Sequence, residues 1–221
     1  MRTIEFSGKF DCIICLAGIL PKAKVFEKLQ DIPIFAADGS VFNLEKIGVE
    51  AEKIIGDLDT FYANPDNIKF PKDKLVHIAE QETNDFEKTL QFAMEAGYRN
   101  CLILGIDGGE FEHSLNNWSI FIRYSSKLNL CICTENRYGF VVREDVMLRL
   151  KKDEIISLIP QPKATLTTQN LKWSLLKESL ELGAREGARN LTTNDEITIN
   201  LHSGSLTVFV EARLPLSPIY K

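Results

Sequence analysis

The hydrophobic period of the chain changes once, near Tyr138, and this limits the fold more than any single motif does. From Phe10 to about Thr134, short β-branched runs alternate with helical patterns. The runs are "DCIICLA", "IPIFAAD", "EKIIGD", "KLVHIA", "NCLILGI" and "LNLCICT". The clearest helix lies in "NDFEKTLQFAMEAG", residues 84–97, where Phe86, Leu90, Ala93 and Met94 keep helical spacing and Gly97 supplies a stop. Strands separated by helices run parallel, and a parallel sheet needs cover on both faces. Beyond Tyr138 the runs "GFVVRE", "EIISLIP", "ATLTTQ", "EITINLH" and "SLTVFVEA" are punctuated by turn signals such as "HSGS", and one helix is expected near "SLLKESLEL". The expected fold class is α/β, with a mostly parallel sheet covered on both faces over residues 1–136 and a small antiparallel β-sandwich or barrel over residues 137–221.

Composition narrows the function classes. With 44% hydrophobic residues in 221, the chain can build a sizeable core. A formal net charge of −5 argues against a nucleic-acid partner, because that affinity rests on clustered Lys and Arg. The apolar stretch from Cys12 to Leu20 is short and preceded by Asp11, so it reads as a buried strand and not as a signal peptide. No run approaches the roughly 20 apolar residues of a bilayer span, so no membrane partner is expected. Five cysteines without a disulfide framework suit a reducing cytoplasm, and Cys12, Cys15, Cys131 and Cys133 read as strand core.

Open parallel sheets gather ligands outside the carboxyl ends of their strands. Asp38 ends "IFAAD", Asp57 follows "KIIG" and Asp107 follows "CLILGI", so three such ends carry acids. An extended "DLD" would point Asp57 and Asp59 the same way, about 6.6 Å apart along the strand. Paired hard oxygens of this kind suit Mg²⁺ bound together with phosphates, although a polar turn would give the same letters. Thr83 or Asn84 can cap the next helix, placing Asp85 in its first turn, where it either joins a ligand set or pairs with Lys88. The Gly108–Gly109 turn is either a phosphate-binding loop or an ordinary tight turn. Neither GxxxxGK[ST] nor GxGxxG occurs, so a nucleotide would be held mainly by metal and carboxylates.

Taken in order, five segments resemble those of the thiamine pyrophosphokinase family. "AADGS" resembles AADGG, "GDLDT" resembles GDFDS, and "EQETNDFEKTL" resembles the Q-D-x-T-D-x-x-K segment. "GGEFEHSLNN" resembles GGRFDHTLAN, and "TTQNLKWSL" the TxxGLKWxL segment. The resemblance implies a doubly wound N-terminal domain and a C-terminal β-sandwich, in a homodimer with active sites between subunits, and Mg²⁺-dependent transfer of a pyrophosphoryl group from ATP to thiamine. It implies that Asp57, Asp59 and Asp85 are catalytic and hold the metal. Asp38, Gln81, Thr83, Lys88, Gly109, Glu112, His113, Trp173 and Asn190 would serve substrate and nucleotide. For Trp173 the alternative is a core anchor, and for His113 a local hydrogen bond at a helix start. Glu110 stands where the family has Arg, Glu112 where it has Asp, and Asn170 where it has Gly. Gly187 and Arg189 replace Ser, and Arg189 offers a substitute cation. Two other functions fit the letters: a non-catalytic thiamine or nucleotide sensor, and a related transferase with another alcohol acceptor.

Overall fold

The structure is a computed structural model that describes all 221 residues. The chain divides into two compact units, one of residues 10–135 and one of residues 1–9 with 136–221. The first strand, β1 (Arg2–Lys9), belongs to the latter. The former contains β2 (Cys12–Cys15), α1 (Ala23–Phe26), β3 (Ile34–Ala37), α2 (Ser40–Lys46), β4 (Lys53–Gly56), α3 (Asp59–Ala63), β5 (Leu75–His77), α4 (Asp85–Glu95), β6 (Asn100–Leu104), α5 (Phe111–Tyr124) and β7 (Asn129–Thr134).

All six strands of this unit are parallel, in the order β7-β6-β2-β3-β4-β5. Every residue of β2 and residues 101–104 of β6 are buried, as expected for strands covered on both faces. The order steps outward in one direction from β2 and in the other from β6. The carboxyl ends of these two strands therefore flank a switch point, where a crevice opens. Asn84 caps α4 by accepting a hydrogen bond from the Glu87 N–H at 3.0 Å, and Phe86, Leu90 and Ala93 are buried as the spacing predicts.

The other unit adds β8 (Arg137–Val142), β9 (Val146–Arg149), β10 (Ile155–Gln169), β11 (Glu178–Glu181), β12 (Gly187–Leu191), β13 (Glu196–Glu211) and β14 (Leu216–Tyr220). Its pairings are antiparallel except β1 with β9. The mixture of a parallel sheet with antiparallel strands agrees with the α/β class.

Four local expectations are corrected. "EIISLIP" and "ATLTTQ" form the single strand β10, and "EITINLH" and "SLTVFVEA" the single strand β13. "HSGS" does not reverse the chain. It lies within β13, where Gly204 takes φ +79° against the Lys163 carbonyl and the β10–β13 register shifts. The helix expected near residues 174–182 is absent. Lys177 has φ +52°, and Glu178–Glu181 pairs with Lys163–Leu166, burying only Leu180. Residues 2–9, grouped above with the span 1–136, instead pair with β9 and β14.

A buried acid ties this second unit together. Glu154 is 3% exposed, accepts the N–H groups of Lys151 and Glu211 at 3.2 and 2.9 Å, and pairs with Arg213, whose guanidinium lies 4.3 Å from the Phe6 ring centre. Glu154→Ala removes the carboxylate partner of a partly buried guanidinium and the acceptor of two N–H groups. It is expected to destabilise the protein by about 3 kcal/mol in urea unfolding.

Candidate active site

Asp38 follows β3 with φ +38° and is 3% exposed. Its two oxygens accept the N–H groups of Thr60 and Phe61, both at 3.1 Å, and so fix the start of α3. Asp57 follows β4 directly. The chain does not stay extended through "DLD", because Leu58 turns left-handed at φ +63° and is fully buried. Asp59 then opens α3 as an exposed residue, and its N–H donates to Asp57 Oδ1 at 3.2 Å. Convergence is therefore made with different partners. Asp57 meets Asp38 and Asp85, and one carboxylate oxygen from each lies within 4.8 Å of the others. These three side chains can hold a metal; Asp59 and the exposed Asp107 stand outside the group.

Two further residues close the cluster. A Cβ on Gly56 would lie 2.6 Å from Asp85 Oδ1 and 3.0 Å from the Asp38 Cβ, so only glycine lets these acids approach the end of β4. Lys88, one turn after Asp85 on α4, is 1% exposed, with Nζ 3.2 Å from Asp57 Oδ2 and 3.6 Å from Asp85 Oδ1. Gln81 Nε2 donates to Asp57 Oδ2 at 3.2 Å. The signal for Gly56 in the sequence is its place between a buried strand and an acid.

The environments push the two half-buried acids apart. Burial raises the Asp85 carboxyl above the ordinary aspartate range, and the charges of Asp38 and Asp57 add to this against the opposing pull of Lys88. Burial also acts on Asp57, but the Asp59 N–H, Lys88 and Gln81 outweigh it and hold that carboxyl below the usual range.

Beside Asp85 opens a cleft of about 230 Å³ with an apolar wall that includes Leu16, Ala37 and Phe86. Asn84, Asp85 and His113 are among its polar lining, and Asn84 donates to Asn117 on α5 at 3.2 Å. Thr83 bonds to Glu80 and leaves capping to Asn84. Gly109 has φ +73°, and Glu112 and His113 are exposed in the first turn of α5. His113 Nε2 lies 3.5 Å from Glu110 Oε2, the local contact that its place at a helix start allows. Phe111 is 73% exposed, whereas the Trp118 and Phe121 rings lie 5.6 Å apart. In the other unit, Asn190 is buried and grips the Trp173 backbone, accepting its N–H at 3.1 Å and donating to its carbonyl at 2.8 Å. The Trp173 ring is no core anchor: the residue is 58% exposed, with Lys172 Nζ 4.8 Å from the ring centre.

The fold defines an α/β protein whose parallel sheet carries, at its carboxyl edge, three acids that could hold a cation. Residues 28–132 match the family described as thiamin pyrophosphokinase, catalytic domain, in keeping with the resemblance read from the motifs. The chain is 26% identical over 194 residues to thiamin pyrophosphokinase 1 of Caenorhabditis elegans, covering 79% of this chain and 76% of that one. It is 24% identical over 137 residues to thiamine pyrophosphokinase 1 of Oryza sativa subsp. japonica, covering 56% of this chain and about half (52%) of the rice protein. Its fold is similar to that of thiamine pyrophosphokinase from Bacillus subtilis, with TM-score 0.75, 19% identity, and 92% and 100% of the two chains covered. It is similar also to the yeast enzyme, with TM-score 0.77, 16% identity, and coverage of 92% and 86%.

Because the ionised form of Asp85 is disfavoured in the fold, its contribution to stability is most favourable below the unfolded aspartate pKa, about 3.9. That contribution is lost as pH rises through the raised folded value. Asp85→Asn is therefore expected to raise the melting temperature of the metal-free protein at about pH 7 and to remove this decline. Melting curves taken from about pH 4 upward check it.

Proposed function

We propose that this chain is a thiamine pyrophosphokinase, transferring a pyrophosphoryl group from ATP to the hydroxyl of thiamine to give thiamine diphosphate and AMP. One observation carries the reading. Within the span matching the catalytic domain, Asp38, Asp57 and Asp85 converge at the carboxyl edge of the parallel sheet.

The donor set fits Mg²⁺, since all three groups offer hard oxygens and the cradle around Gly56 admits no side chain. Bound there, Mg²⁺ would supply a Lewis acid and template for phosphoryl oxygens. The rest is done by the chain. Lys88 and Gln81 hold Asp57 in place, and Asp38 anchors α3 through two N–H bonds. The Gly108–Gly109 turn and the first turn of α5 offer backbone N–H groups to phosphate oxygens. The cleft lined by Leu16, Ala37 and Phe86 takes the nucleotide beside Asp85. Asp59, exposed at the start of α3, keeps its catalytic role in this reading, and Thr83, Gly109, Glu112 and His113 line the substrate path. Transfer of this kind needs positioning and charge stabilisation more than a covalent nucleophile.

In the same reading the parallel layer is doubly wound, and the antiparallel strands form a β-sandwich that brings thiamine to the exposed Trp173, whose face attracts the cationic thiazolium. Asn190 sets the Trp173 backbone. The active form is a homodimer with sites between subunits, consistent with exposed Trp173 and Leu176. Five free, buried cysteines and the absence of any helix long and apolar enough to cross a membrane accord with a cytoplasmic setting. A sensor or a transferase for another alcohol is less well supported, since the similar proteins carry the kinase name.

Incubation with ATP, Mg²⁺ and thiamine should release AMP and thiamine diphosphate in equal amounts. Asp57→Asn and Asp85→Asn should each lower turnover at least about tenfold, roughly 1.4 kcal/mol of barrier, with unchanged circular dichroism. Near-normal rates in both variants would refute the assignment.

A further inference from the structure

Lys88 is an unusual neighbour for a metal site. It lies in the second turn of α4, near the positive end of that helix dipole, and its side chain is 1% exposed. Both features oppose an ammonium group. Its compensation is the acid cluster, with Nζ within 3.6 Å of both Asp57 and Asp85. With Asp38, Asp57 and Asp85 converging within 4.8 Å, the ammonium is the only positively charged side chain recorded in contact with the group.

Resting on the metal reading above, we propose that Lys88 is a resident counter-ion. It holds the carboxylates together when no metal is present and weakens their hold on a free divalent ion. The charge balance gives the reason. Three carboxylates and one ammonium leave two net negative charges, so an arriving ion meets a partly neutralised site and must share Asp57 Oδ2 and Asp85 Oδ1 with Nζ. A cation already complexed by a polyphosphate brings its own oxygen ligands and needs fewer from the protein. Lys88 thereby favours the metal–nucleotide complex over the bare ion. It is a positioning residue, acting through the acids.

Mn²⁺ titration of the full chain without nucleotide, followed by electron paramagnetic resonance, tests this. Lys88→Met keeps the stem and removes the charge, and it is expected to bind Mn²⁺ at least tenfold more tightly than the wild type. Its melting temperature without metal should fall, and the fall should be markedly smaller on an Asp85→Asn background, where one negative charge is already gone. A packing role alone would lower both backgrounds equally and leave Mn²⁺ affinity unchanged. Either of those results overturns the proposal. Should Lys88→Met fail to fold, the charge-balanced pair Asp85→Asn/Lys88→Met compared with Asp85→Asn asks the same question of affinity.

Failure of the underlying reading looks different. Wild type and Asp57→Asn would then bind Mn²⁺ equally weakly or not at all. If the wild type binds and Asp57→Asn does not, but Lys88→Met binds no tighter than the wild type, only the counter-ion proposal falls.

Discussion

Three carboxylates held within 4.8 Å repel one another, and the surrounding architecture is arranged to contain that repulsion. Each acid is fixed by donors from a neighbouring element. Asp38 takes two N–H groups from the start of α3, Asp57 takes the Asp59 N–H, and Asp85 takes the Asp57 N–H at 3.3 Å. The acids thus lock the loops that carry them, and the loops set the acids. Lys88 adds the one full positive charge. The parallel sheet makes this possible by delivering β3 and β4 side by side, so that the residues leaving their carboxyl ends emerge as neighbours.

Backbone conformation at the site follows from the same demand. Asp38 and Leu58 both have positive φ, a region that costs non-glycine residues on the order of 1 kcal/mol or more. At Leu58 the left-handed turn sends the side chain into the core and reverses the chain in time for α3 to begin. Gly56 answers a steric demand, since any side chain there would occupy the space where Asp85 and Asp38 approach. Burial, and after it the charges of Asp38 and Asp57, raise the Asp85 carboxyl. Such a balance suits a site completed by a cation.

The periodicity of residues 10–134 made the six parallel strands and α4 legible, because buried strands and amphipathic helices leave patterns that local chemistry imposes. The acids at strand ends were legible for the same reason, and Asp38, Asp57 and Asp85 do meet. Their geometry was not. Alternation alone placed Asp57 with Asp59, and nothing local announces that a leucine will turn left-handed because its side chain has a core to enter. The long strands β10 and β13 were also hidden, since "HSGS" carries every mark of a turn and only pairing with a bulged neighbour keeps it extended. The helix expected over residues 174–182 gives way to a strand, because Glu178–Glu181 finds a pairing edge on β10 earlier in the sequence. β1 was missed because its partners, β9 and β14, lie far along the sequence.

The departures from the family pattern at Glu110 and Glu112 fall on the rim and not on the acid cluster. Glu110 sits at the N-cap of α5 with no side-chain bond to the helix amides, and its contact is with His113. Replacing a cation by an anion here makes the field near this helix start less attractive to phosphate, an effect that solvent screens at an exposed position. The amide N–H groups themselves are not taken up by the Glu110 side chain, so a hydrogen-bonding surface for phosphate oxygens survives the change of sign. Under the proposed function, anion binding would then rest less on side-chain charge and more on backbone amides and a cation held by the three aspartates. In that proposal Glu110 bears on how strongly a nucleotide is drawn in, while the converged acids bear on what is done with it.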